Sequence, residues 1–326
     1  MTCQRGLRAG AVLAATALSA VGLGAPVQAG TAPGGRVAVT VVNRATGNPV
    51  ADACVVLVQP GQGGLPDGCG DVTDQQGRVT TGRVQAGTYQ MFVFTPTGYG
   101  YQWAGANGGT GDQRDAARIQ VRAGQTSQAA TVRLDRPGAI TGVVRDPAGA
   151  PVPAADVSIT AWGFGVGPSL GAVTADDQGR YRLDVLGPYS WPLSVTSGGV
   201  LPRQWSGGVG NRFQADRVRV RAGQDTTHDL TLARGGLLRG GVTVRGGAAV
   251  DSWRLTAVNA VTGDQIGVAD SGTAEDRSYA MPLAGPQSIK VRWSVQAGGE
   301  SRSGWARTAP VRVAGSGTRT LDVTIG

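Results

Sequence analysis

Gln102-Trp103-Ala104-Gly105 returns as Gln204-Trp205-Ser206-Gly207 after 102 residues, and Trp305 follows 100 residues later. Working outward, Gln76-Gly77-Arg78 returns as Gln178-Gly179-Arg180, and Pro49-Val50 as Pro151-Val152. Val121-Arg122-Ala123-Gly124-Gln125 reappears as Val220-Arg221-Ala222-Gly223-Gln224, with Val313-Ala314-Gly315 as a weaker third copy. Each unit closes on an alternating segment: Thr131 to Leu134, Asp229 to Leu232, Asp322 to Ile325. A period near 100 residues is too long for a solenoid and fits tandem domains.

Within a unit, apolar residues alternate over short stretches: Val37, Val39 and Val41; Val157, Ile159 and Ala161; Val242 and Val244. Gly-Asn-Pro at 47–49, Gly-Ala-Pro at 149–151 and Asp-Gln-Gly at 177–179 supply the turns between them. Strands of four to seven residues at this spacing predict antiparallel sandwiches rather than a parallel α/β sheet. The 54 Gly and 17 Pro therefore read as turn residues. No stretch after residue 29 has helical periodicity.

Residues 1–29 read as a secretory signal peptide. Arg5 and Arg8 precede an apolar run from Ala9 to Leu23, and Pro26-Val27-Gln28-Ala29 is a small-residue cleavage pattern. The run is shorter than the ~20 residues that span a bilayer. Cleavage after Ala29 removes Cys3 and leaves Cys54 and Cys69. The expected modules are 30–136, 137–235 and a more divergent 236–326. A secreted, extracellular protein without a membrane anchor is expected, and a monomer.

Units one and two resemble the carboxypeptidase regulatory-like, or prealbumin-like, β-sandwich domain. The residues are Gly142-Val143-Val144-Arg145-Asp146, Gly149-Ala150-Pro151-Val152, Ala155 to Ile159, Asp176-Asp177-Gln178-Gly179-Arg180-Tyr181 and Leu186-Gly187-Pro188-Tyr189. Unit three keeps Tyr279, Ala284-Gly285-Pro286 and Trp305, but its Gly246-Gly247 turn lacks the Pro-Val. The resemblance implies three tandem Greek-key modules of the Cna-B-related kind, as in arrays of secreted actinobacterial proteins. Such modules serve as spacers, adhesin stalks or sugar-binding-like domains. Related surface modules carry a Lys-to-Asn/Asp crosslink, and only Lys290 could supply one here; between Ser288 and Arg292 it reads as a solvated strand residue.

Composition removes most catalysis. With 29 Arg, one Lys, one His and two Glu, the chain holds no His-rich metal site and no His-pair acid/base system. His228 begins a strand beside Asp229, whose side chain then points to the opposite face and cannot orient an imidazole. Glu275-Asp276 is a turn pair rather than two carboxylates across a cleft. Asp67, Asp71 and Asp74 lack calcium-loop spacing. No enzyme, cofactor or metal is expected. Cys54 and Cys69 sit on the arms of a hairpin around Gly61 to Gly64, which would set them opposite each other as a disulfide in an exported protein. A metal pair would lack further ligands.

Two groups of residues could bind. Arg217, Arg219 and Arg221 alternate with Val218 and Val220, so a strand there shows three guanidiniums on one face. Such a stripe attracts acidic polymers, or is simply a soluble face; nucleic acid is disfavoured for an exported chain. The formal charge falls from +8 to +6 when Arg5 and Arg8 leave. Among seven Trp, Trp103, Trp205 and Trp305 recur once per unit, and Trp162 and Phe164 lie in a Gly/Pro-rich loop. Flat rings on a rigid sandwich can stack on sugar; equally, each recurrent Trp can plug the end of its own core. Two functions follow: binding of cell-wall or extracellular carbohydrate through loop aromatics, or a structural spacer or adhesion-like scaffold.

Overall fold

The alternation at Val37, Val39 and Val41 buries all three residues on one face of the strand Arg36–Asn43, and the same logic runs through the chain. The structure, a computed structural model, describes residues 34–60, 69–96, 98–159, 171–198, 201–247, 249–273 and 275–326. The expected signal peptide, the Gly61 to Gly64 loop, Asp67, Trp162 and Phe164 lie outside the described residues.

The fold is all-β, and among the described residues one strand arrangement recurs three times. In the first repeat Arg36–Asn43 pairs antiparallel with Arg78–Thr80 and parallel with Thr126–Gln128 and Val132–Leu134. Facing it, Cys54–Val58 pairs with Asp71–Val72 and Gly87–Phe94, and the latter with Gln102–Trp103 and Ile119–Val121. Gly138–Arg145 and Gly236–Val244 take the place of Arg36–Asn43 in the second and third repeats, with the same antiparallel and parallel partners.

The parallel pairs depart from the purely antiparallel sandwich that the sequence predicts. First and last strands of a repeat both lie in one sheet, and between them the chain passes through the other sheet. The chain therefore returns beside its starting strand running the same way. A parallel neighbour needs such a long crossover, and the second sheet supplies it.

The Gln-Gly-Arg recurrence is a turn held by an aspartate. Asp74 Oδ1 accepts hydrogen bonds from the backbone N–H groups of Gln76 and Arg78, 2.9 and 2.8 Å, and Asp176 does the same for Gln178 and Arg180. Gly77 and Gly179 take φ of 69° and 71°, which an L side chain resists.

Cys54 and Cys69 form a disulfide. The hairpin register differs from the expected one: Cys54 stands opposite Val72, and Cys69 turns back towards it from before the short strand. Closing a loop of 15 residues stabilises by about 3 kcal/mol on the chain-entropy view.

Candidate functional site: the Gln-Trp junctions and the Trp305 face

Strand register makes the three recurrent tryptophans equivalent. Trp103 stands opposite Phe92, Trp205 opposite Ser194 and Trp305 opposite Arg292, each on the edge strand of its repeat's second sheet. Their surroundings diverge. Trp103 and Trp205 are 5% and 4% exposed, whereas Trp305 is 52% exposed.

Trp103 is covered at the junction between the first and second repeats. Its ring meets Phe92 edge-on at 5.0 Å, and Phe94 meets Tyr101 at 5.4 Å. This cluster is continuous with the core of the second repeat, including Leu186, Trp191 and Leu193. Backbone joins backbone as well: Tyr101 N–H donates to Val185 O at 2.7 Å, and Gly187 N–H donates to Tyr101 O at 3.0 Å. The Gln102 side chain, buried beside the Trp, accepts from the Tyr189 hydroxyl at 3.1 Å, which itself accepts from Arg44.

After each of these Trp residues a loop folds onto the next repeat. In the first repeat it carries the 3-10 turn Gln113–Asp115, capped by Asp112; in the second, Arg212–Gln214, capped by Asn211. Gly111 and Gly210, one residue before those caps, touch the following repeat so closely that a Cβ would sit 2.7 Å from Ser190 O or 2.2 Å from Ala284 O. Only glycine permits that approach. At the second junction Gln204 holds the connecting segment, accepting from Ala233 N–H at 2.7 Å and donating to Ala233 O at 3.2 Å.

Charge is concentrated on these loops. Arg217 pairs with Asp112 and Asp115, both at 2.8 Å, and Arg114 pairs with Asp112 at 2.6 Å. Arg212 reaches Gln113 of the first repeat and Asp264 of the third, the latter at 3.2 Å with side chains 9% and 2% exposed. Burial pushes the Asp264 carboxyl up and the Arg212 guanidinium down, each opposed by the other's charge. Arg203, pushed down to about 10 by burial, lies close enough to Asp264 to feel its charge. One loop of the second repeat thus ties all three repeats together.

The structure takes Arg217 out of the expected cationic stripe, because its guanidinium is spent on Asp112 and Asp115; Arg219 and Arg221 stay exposed. It also places the Trp103 and Trp205 rings where no sugar reaches them. Trp103 joins the core of the second repeat, whereas Trp205 packs against Ala215 and Val209 of its own repeat, as the plug reading expects. His228 uses its backbone instead, its N–H donating to Thr141 O and its carbonyl accepting from the Tyr181 hydroxyl at 2.6 Å. Asp229 accepts from Val143 N–H.

The third repeat lacks the latch. From Trp to the strand that follows takes 16 residues in the first repeat, 13 in the second and 6 in the third, measured to Ile119, Val218 and Val311. Gly304 replaces the glutamine, and the Trp293 ring lies against it. The outer sheet face changes in step. Cys54, Val56, Phe92 and Phe94 in the first repeat correspond by register to Asp156, Ser158, Ser194 and Thr196, then to Arg254, Thr256, Arg292 and Ser294. Lys290 Nζ lies 5.9 Å from the centroid of the Trp305 ring. Arg292 donates to Ser303 Oγ at 3.0 Å, and Arg254 pairs with Asp270 at 2.5 Å.

Among the described residues no group of His, Cys, Asp and Glu could hold a metal ion, and no helix is long and apolar enough to cross a membrane.

The family model of the carboxypeptidase regulatory-like domain matches residues 139–233. No curated protein matches the chain. Among solved structures, the minor pilin GBS52 of Streptococcus agalactiae is similar at 10% identity and a TM-score of 0.28, over 60% of this chain and 94% of that one. The shaft pilin SpaA of Lactobacillus rhamnosus is similar at 7% identity and 0.22, over 58% and 98%. The Bacillus anthracis TIE protein is similar at 12% identity and 0.24, over 90% of this chain; the chain spans half of its length. The stretch that the family model matches, residues 139–233, includes the Gln204-Trp205 latch.

Proposed function

We propose that the chain is a secreted, non-catalytic scaffold of three sandwich modules, residues 30–136, 137–235 and 236–326, locked into one array that acts as a spacer in adhesion or at the cell wall. The observation that carries this is the pair of built junctions, with Trp103 and Trp205 buried and Arg212 bridging Gln113 and Asp264. A string of independent beads needs no buried ion pair or interlocked backbone between its members. Differential scanning calorimetry of the mature chain tests it. A locked array unfolds in a single cooperative transition; three separate transitions in the unaltered protein would refute the lock.

A second reading, contact with a polysaccharide or cell-wall polymer through aromatics, is favoured by one observation: Trp305 is 52% exposed where its two counterparts are buried. Of the other rings, Trp103 is committed to the first junction and Trp205 is buried within its own repeat. On this reading the scaffold presents its binding ring on the third module.

A further inference from the structure

We propose that the outer face of the third repeat's second sheet, centred on Trp305, Lys290 and Arg292, binds a carboxylated polysaccharide. The proposal rests on the carbohydrate reading above and assigns it a place and a ligand chemistry.

Exposure of the ring has a cause in the chain. In the first two repeats a loop of over ten residues closes over the Trp and carries the neighbour; between Trp305 and Val311 five residues suffice only to turn the chain. The residues around the exposed indole are cationic. Arg292 stands directly across from Trp305, with Thr256 next in the row. Lys290 is two residues along the same strand, about 7 Å away, and its ammonium faces the ring.

The available charge points to an anion. Among the described residues neither Lys290 nor Arg292 has an ion-pair partner, while Arg254 in the next row is neutralised by Asp270. A depression of about 370 Å³ opens on the same face, lined by Arg254, Asp270, Ser271, Ser294 and Gln296. Ring, cations and polar hollow thus succeed one another along the strands. A sugar ring would stack on the indole, its carboxylate would meet Lys290 or Arg292, and the next hydroxyls would meet Ser294 and Ser303. A neutral glycan would leave the two cations unused. An acidic peptide would leave the flat ring without a flat partner.

Affinity electrophoresis of the mature chain in gels containing polygalacturonate tests this, with hydroxyethylcellulose as the neutral glycan and polyglutamate as the anion without sugar rings. Retardation by polygalacturonate is expected, weakening as salt is raised. Trp305→Ala should weaken it roughly tenfold, as should Lys290→Ala combined with Arg292→Ala, while Trp305→Phe retains most of it. Both sites are on the surface, and an unchanged circular dichroism spectrum confirms folding. Absence of retardation by polygalacturonate, or retardation unchanged by Trp305→Ala, overturns the proposal. Equal retardation by polyglutamate overturns it in favour of an acidic protein. Trp305-dependent binding to hydroxyethylcellulose alone overturns it while leaving the carbohydrate reading intact; no binding to any of the three removes both.

Discussion

Trp103, Trp205 and Trp305 occupy one register position on three copies of one sheet, yet two are buried and the third lies open. Identity of the residue did not decide this; its neighbours did. Where glutamine precedes the Trp and a long loop follows, the ring is covered and the next repeat is held. Where Gly304 precedes and five residues follow, the ring is bare and the surrounding face is cationic. One side chain at one register position is thus buried in two repeats and left on the surface in the third.

The comparison can be broken most directly at the tryptophans. Trp103→Ala or Trp205→Ala should cost about 3–5 kcal/mol in urea unfolding, since each leaves a cavity where a buried indole packed; a loss near zero would mean that the buried rings carry no stability. Somewhat smaller, Arg212→Ala should cost about 3 kcal/mol, chiefly by stranding the buried Asp264 carboxylate.

Asp264 also leaves a signature in pH. Its folded-state pKa is raised by burial, so the native state holds the proton longer than the unfolded chain. The contribution is fully present below the unfolded carboxylate value and is lost as pH rises through the raised folded value. Asp264→Asn removes that dependence. The stability difference, wild type minus variant, should therefore fall as pH rises above the ordinary carboxylate value of ~4, and a difference that stays flat or rises with pH would contradict the assignment.

Two further changes sharpen the contrast at the third repeat. Gly304→Gln restores the latch residue but places a Cβ 2.6 Å from the Trp293 ring. It should destabilise by about 1–3 kcal/mol through overpacking, measured by thermal melting. Smallest of all, Trp305→Ala should change stability by within about 0.5 kcal/mol, as for an ordinary surface site. A loss like that of Trp205→Ala would show that the third ring is packed after all.

Much of this architecture is legible in the sequence. The near-100-residue spacing, the sandwich class and the partnership of Cys54 with Cys69 follow from local patterns, because alternation and turn chemistry act over a few residues. The junctions are not legible in that way. Trp103 meets the core of another repeat, and Arg217 pairs with residues about 100 positions away; no period within one unit encodes such contacts. A signal was nonetheless present. Glutamine precedes Trp103 and Trp205 but not Trp305, and the distance from Trp to the next strand shrinks from 16 to 13 to 6 residues. The parallel pairing of first and last strands also escaped the alternation pattern, which is blind to strand direction.

That pairing has a mechanical consequence. Arg36 begins the first strand, Leu134 ends the last, and the two strands run side by side in the same direction. Tension applied through the chain pulls those ends apart along the strand axis. The hydrogen bonds between them are then loaded together in shear instead of being unzipped one after another. Each repeat, closed on itself in this way, resists stretching at the point where the chain enters and leaves it.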